Sequence, residues 1–223
     1  MDNSSVSYDF LSQLAGRFIV FDGPDGSGKS TQFRDFHTLI NTHTDLKVCE
    51  IREPGGTAIG EQIRDVLLDP GNHATHGMDA MTEMMLFMAS RAQVVREKII
   101  PARESGAVVM ADRFLSSTLA YQGTAGGISE EEILAVGRVA CGSTWPPDLI
   151  LIFDVDSATA AGRLNPLLDR MEARGAEFHQ RVRNGFLRQA KSDPKHYAVV
   201  DATQPVEAVR SAVHAAIRER LGI

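Results

Sequence analysis

The sequence predicts an α/β fold: a five-stranded parallel sheet flanked by helices on both faces. Three observations carry that prediction. Five short apolar runs, 17–22, 46–51, 107–112, 148–155 and 197–201, alternate with longer stretches of helical periodicity. The runs are continuously apolar rather than alternating, as strands buried on both faces are. Strands separated by helices connect in parallel through right-handed crossovers. In such a sheet ligands sit beyond the carboxyl ends of the strands, so the residues that close each run are where chemistry is expected.

The first run ends in a glycine-rich turn that fits G-x-x-x-x-G-K-[ST]: Gly23, Pro24, Asp25, Gly26, Ser27, Gly28, Lys29 and Ser30, followed by Thr31. Glycines let backbone N–H groups converge on phosphate oxygens without a Cβ in the way. The next helix, about Gly28 to Ile40, starts at the turn, so its positive end faces the same anion. Lys29 can reach β- and γ-phosphates, and the Ser30 hydroxyl can hold Mg²⁺. A strand before the loop and a helix after it are what the motif requires, and they make the fold a P-loop NTP hydrolase/kinase type.

The second strand is followed by Arg52, Glu53, Pro54, Gly55, Gly56 and Thr57. Pro54 and two glycines continue neither a strand nor a helix, so this is a loop at a strand's carboxyl end. Arg52 and Glu53 are candidates for ligand contact or a solvated charge pair. A helix is expected over Ala58–Leu68, and a polar connection over 69–77. Residues 78–104 form the longest helical pattern. Met81, Met85, Met88, Ala92, Val95 and Ile99 make one apolar stripe, read as core or a subunit contact. Glu83, Phe87 and Arg91 lie at i, i+4 and i+8 on another face. There an aromatic ring could stack on a base while an arginine donates to its carbonyls; periodicity alone favours a packed Phe and a surface Arg.

The third strand ends in Asp112 and Arg113. A carboxylate at the end of an apolar strand beside such a loop suits a Mg²⁺-linked role, and Arg113 suits a second phosphate. Ser116, Ser117, Thr118, Tyr121 and Gln122 then supply hydroxyls and an amide within two turns. A helix over Ser129–Cys141 has Ser129 as N-cap and Glu132 at the capping-box position. Pro146, Pro147 and Asp148 introduce the fourth strand. A helix from Ser157 carries Arg163, the stretch 165–175 reads as a cover, and a basic helix over Glu177–Lys191 shows Arg181, Arg183 and Arg188 as a solvated face. A last strand, a turn at 201–205 and a helix over 206–221 close the chain.

Composition limits the function classes. Hydrophobic residues at 43% and charged residues at 23% describe a soluble globular chain. A net charge of −6 with no basic run argues against a nucleic-acid surface. No apolar run approaches a membrane span. Cys49 and Cys141, without CxxC spacing, read as buried free thiols. Residues 1–16 lack the basic start and apolar core of a signal peptide, so a cytoplasmic protein is expected. They read as an N-terminal leader outside the fold, partly ordered through Phe10, Leu11 and Leu14. Residues 17–223 read as a single domain with a short lid around 162–176.

At Arg113 these hints join into one pattern, which resembles the thymidylate kinases from Arg17 to the C-terminal helix. The matching blocks are 21–31, 52–57, Asp112–Arg113 with Ser117 and 120–123, 147–149, and 169–172. The resemblance implies transfer of the ATP γ-phosphoryl group to dTMP, giving dTDP and ADP, with Mg²⁺, and commonly a homodimer. Carried over by position, Gly23 to Thr31 match the ATP phosphate cradle, and Asp25 the loop carboxylate near the acceptor 3′-hydroxyl. Arg113 matches the arginine that grips the dTMP phosphate, and Asp112 the carboxylate near Mg²⁺. Phe87 matches the thymine-stacking ring, Arg91 the reader of the base carbonyl, and Tyr121 the residue that crowds the sugar 2′ position, with Gln122 beside it. Arg52 and Pro54 match the loop lining the acceptor site, with Ser117 and Thr118 among the acceptor contacts.

One departure stands out: the loop positions Pro24 to Ser27 hold no arginine, and the lid offers Arg163 where several are usual, with Arg170 and Arg174 beyond. Arg163 is expected on the donor side with Lys29. Rival readings are a kinase for another nucleoside monophosphate or a nucleoside, a nucleotide-binding switch, which lacks here an N-K-x-D motif, and a kinase relative that binds without turnover.

Overall fold

A computed structural model describes residues 8–69, 71, 77–163 and 174–223. Five strands, β1 (Phe18–Asp22), β2 (Val48–Arg52), β3 (Val108–Asp112), β4 (Leu149–Asp154) and β5 (Tyr197–Asp201), form one parallel sheet in the order β2-β3-β1-β4-β5. β1 is central and buried along its whole length. Its side chains alternate between two cores: Phe18 and Val20 enter one, Ile19 and Phe21 the other. This is the period-2 geometry of a strand covered on both faces. The edge strand β2 departs from the expectation of full burial, because only one neighbour covers it and Glu50 is exposed.

Helices α1 (Lys29–His43) and α9 (Val206–Leu221) pack on one face. Helices α2 (Ala58–Leu68), α3 (Ala80–Val94), α6 (Glu130–Cys141) and α8 (Ala176–Ser192) lie toward the other. Thr57 caps α2 by accepting from the Gly60 amide at 3.0 Å. Ser129 and Glu132 form the expected capping box of α6. The long pattern after residue 78 is one rod in three pieces: α3, a π-helical turn at Val95–Ile99, and α4 (Ile100–Glu104). After β3 comes α5 (Leu115–Thr118), prolonged by a π-helical turn at Leu119–Ala125; α7 (Ser157–Arg163) follows β4.

The structure refines three expectations. Asp9–Leu14 form a 3-10 turn whose Phe10, Leu11 and Leu14 are buried in the core under α9, so this part of the 1–16 segment belongs to the fold; residues 1–7 lie outside the described residues. Met84, not Met85, is the buried methionine one turn before Met88, and Met85 faces outward at 47% exposure. Arg183 is not simply a solvated side chain: it holds the Asp154 carboxylate at 2.6 and 2.8 Å at the end of β4. Among the described residues, no helix is long and apolar enough to cross a membrane.

Candidate active site

Register brings the glycine loop after β1 and the turn after β3 together. β1 and β3 are adjacent, with Phe21 opposite Asp112, and the Arg113 amide donates to the Phe21 carbonyl at 3.0 Å. The loop after β1 and the turn after β3 therefore leave the sheet side by side. Two glycines are required in the loop. Gly23 (φ +138) would put a Cβ 2.6 Å from the Phe153 carbonyl, and Gly26 (φ +75) would drive one into the Ala160 carbonyl. Arg113 itself has φ +74, the one positive φ outside glycine among the described residues. Such a backbone persists where surrounding contacts over-determine it.

Those contacts are dense. One Arg113 Nη1 donates to the Gly23 carbonyl (3.1 Å) and to Ser117 Oγ (2.9 Å); Nη2 donates to Asp25 Oδ1 and to the Tyr121 hydroxyl (3.2 Å). The Tyr121 hydroxyl in turn donates to Asp25 Oδ2 at 2.8 Å, and its ring lies 5.0 Å beneath the guanidinium. Lys29 Nζ is 3.9 Å from Asp25 Oδ1 and donates to the Pro24 carbonyl at 3.5 Å. Burial works against the Asp25 carboxylate, but the Arg113 and Lys29 charges win and hold its pKa at about 2. Burial, aided by Arg113, lowers the pKa of Lys29 against the pull of Asp25. The same burial pushes Tyr121 far up, so its hydroxyl stays a proton donor.

Asp22 was not singled out from the sequence, yet it is the hub beneath Arg113. Fully buried, it accepts from Ser116 Oγ (2.6 Å), Ser117 Oγ (2.7 Å) and the Gly23 amide (2.9 Å). Burial raises its pKa, opposed by Arg113. An acidic residue closing an otherwise apolar central strand was the available signal.

A cleft of about 220 Å³ opens above this network. Asp25, Arg52, Pro54, Phe87, Arg91, Arg113, Ser117, Thr118, Tyr121 and Gln122 line it. All ten sequence-derived acceptor candidates thus meet in one cleft, joined by Glu53, Arg64 and Leu68. Arg64 donates to the Pro54 carbonyl at 2.8 Å and ties the loop down; of these three, only Glu53 was suspected from sequence. Arg91 is 1% exposed, against the periodicity reading of a surface side chain. Its Nη2 and Nε sit 2.6 and 2.8 Å from Glu53 Oε2, and Nη1 donates to Thr118 Oγ1 at 3.0 Å. Burial raises the Glu53 pKa despite Arg91.

A second cleft of about 450 Å³ is lined by Gly26 to Gln32 and by Arg163, Ala202, Gln204, Val206 and Val209. Lys29 and Ser30 line both clefts. Gly23 and Pro24 line neither; their carbonyls hold Arg113 and Lys29 from behind. Ser30 Oγ donates to Asp112 Oδ2 at 3.2 Å, at the boundary. Arg163 lines this second cleft together with Lys29, the companion expected for it, and its Nη1 donates to the Ala202 carbonyl at 2.9 Å, beside Gln204. Arg170 and the rest of 164–173 lie outside the described residues.

The model of the thymidylate kinase family matches residues 21–213. A thymidylate kinase of Desulforudis audaxviator is 41% identical over 209 residues, covering 93% of each chain. One of Symbiobacterium thermophilum is 42% identical, covering 92% of this chain and 94% of its own. The crystal structure of the thymidylate kinase from Ehrlichia chaffeensis superposes with a TM-score of 0.73 at 30% identity, over 90% of this chain and 98% of that one. A central loop with two glycines in enforced positions, an arginine pinned beside it by the β1–β3 register, and this likeness over nearly the full length lead to one conclusion: the chain belongs to the thymidylate kinase family.

Proposed function

We propose that the protein transfers the γ-phosphoryl group of ATP to dTMP, giving dTDP and ADP. The observation that carries this reading is that Lys29 and Ser30 line both clefts at once. A donor phosphate held by the glycine loop and an acceptor phosphate held by Arg113 then meet across one lysine. Phosphoryl transfer asks little covalent chemistry of a protein; it needs two phosphates in line, charge neutralised and water excluded. Arg113 supplies planar paired donors for the acceptor phosphate. Asp25, kept ionised by Arg113 and Lys29, can accept from the sugar 3′-hydroxyl, and Tyr121 beside it crowds the 2′ position. Phe87 stacks on the base and Arg91, aimed by Glu53 and Thr118, donates to its carbonyl.

The Ser30 hydroxyl and Asp112 carboxylate, 3.2 Å apart, are hard oxygen groups that would hold Mg²⁺, and the ion would supply positive charge against the phosphates. A cytoplasmic homodimer is part of the reading. Outward Ile59 and Val66 on α2, Met85 on α3 and Val139 on neighbouring α6 support a second copy as the cover of that face. The test is a coupled assay of ADP release. Release that requires dTMP, and is at least about tenfold slower with dCMP or dGMP, supports the reading; release independent of any acceptor contradicts it.

A further inference from the structure

Resting on that reading, we infer that Glu83 and Arg174 are positioning residues that set the base selectivity of the acceptor cleft by fixing which end of the Gln122 amide faces the nucleobase. Glu83 lies one turn before Phe87 on α3 and is 1% exposed. Its Oε1 accepts from Gln122 Nε2 at 2.7 Å and its Oε2 from Arg174 Nη2 at 2.9 Å. Gln122 is itself buried and lines the cleft.

The argument is one of donor and acceptor counting. A carboxylate only accepts, so the amide end that faces Glu83 must be the NH₂ end. The carbonyl oxygen is then the other end of the Gln122 amide, the end left to the cleft that Gln122 lines. A cleft presenting a fixed acceptor at that place suits a pyrimidine with an N3–H donor, as in thymine or uracil. Cytosine offers an unprotonated N3 there and would set acceptor against acceptor. Were Glu83 replaced by an amide, Gln122 could turn over and present NH₂ instead, and the discrimination would fade.

Arg174 belongs to the same device. It precedes α8, its guanidinium lies 4.8 Å over the Phe178 ring, and its charge sits on the carboxylate that orients Gln122. A carboxylate so far removed from water keeps its place through paired charge and hydrogen bonds. This gives Arg174 a duty other than the transferring phosphate, the role its place beside the lid had suggested.

The experiment is calorimetric titration of dTMP and dCMP into the nucleotide-free protein, with Glu83→Gln, Arg174→Met and Arg174→Lys as variants, so that the ratio of the two affinities is read without turnover. Glu83→Gln should cut the preference for dTMP at least about tenfold, chiefly by weakening dTMP. Arg174→Met should cut it about threefold or more, and Arg174→Lys should restore most of it. Should Glu83→Gln not fold, the Met and Lys pair at the partly exposed position 174 decides by the same ratio. A preference unchanged within about twofold in the folded variants, or equal loss for both nucleotides without rescue by lysine, overturns the inference. Absence of ADP release in the wild type, with the binding ratio intact, would fault the proposed reaction and leave this inference standing.

Discussion

The two clefts that share Lys29 are built by different means. The cleft proposed for the acceptor is assembled from side chains that hold one another: Asp22, Asp25, Arg113, Tyr121 and Ser117 in one network, Glu53, Arg91 and Thr118 in a second, Glu83, Gln122 and Arg174 in a third. The cleft proposed for the donor is mostly backbone: a glycine loop, a helix start and the β5–α9 connection, with Arg163 resting on a carbonyl. A site of interlocked side chains is set before its ligand arrives and is sensitive to single side-chain losses. A site of backbone amides is sensitive to anything that displaces the loop and tolerant of the residues around it.

Arg113→Ala tests the first half and carries the largest expected effect. Steady-state kinetics should show kcat/KM for dTMP falling about 1,000-fold while the KM for ATP stays within about threefold. A parallel loss in ATP would mean the two halves are not separately built. Gly26→Ala tests the second half. With φ +75 and the Ala160 carbonyl in the path of the new Cβ, the loop must shift, and the KM for ATP should rise about 50-fold with dTMP binding little changed.

Acid stability sharpens the picture within the acceptor network, because Asp22 and Asp25 are shifted in opposite directions. The Asp25 pKa is lowered to about 2. Its contribution to stability is therefore complete above about pH 4 and is lost as pH falls toward 2, where the unfolded chain has already taken up the proton. Asp22, raised by burial, runs the other way: its charged form costs stability above the usual carboxylate range, and protonation relieves that cost. Denaturant unfolding across pH 5 to 2 should show Asp25→Asn flattening the acid limb by about 2 kcal/mol, and a limb as steep as wild type would remove Asp25 as its cause. Arg163→Ala should have the smallest effect, about threefold on the KM for ATP and none on dTMP; a large loss of kcat would return this arginine to the transferring phosphate.

Much of the fold could be read from residues 17–223 because periodicity and loop chemistry agree there. Five apolar runs, the glycine loop and the Ser129–Glu132 cap all point to elements the structure contains. The strand order could not be read, since continuous apolar runs say that a strand is buried but not beside which neighbour. Phe87 and Arg91 illustrate the same limit at the site. Their spacing favours a surface arginine over one sealed against Glu53, and only the packing of α3 on the loop after β2 reverses that reading. Asp22 and the Glu83–Arg174 pair escaped notice because their partners lie about 90 positions away in the chain. Arg163 shares a cleft with Lys29, as its place in the chain suggested, but its hydrogen bond to the β5–α9 connection is a long-range contact that sequence order does not show.

The central claim, that the acceptor cleft is complete before the donor arrives, is tested most directly by titrating dTMP into nucleotide-free protein in a calorimeter. A preassembled cleft predicts saturable binding with a dissociation constant within about threefold of that measured with a non-transferable ATP analogue present. Heat that appears only after the analogue is added would contradict it.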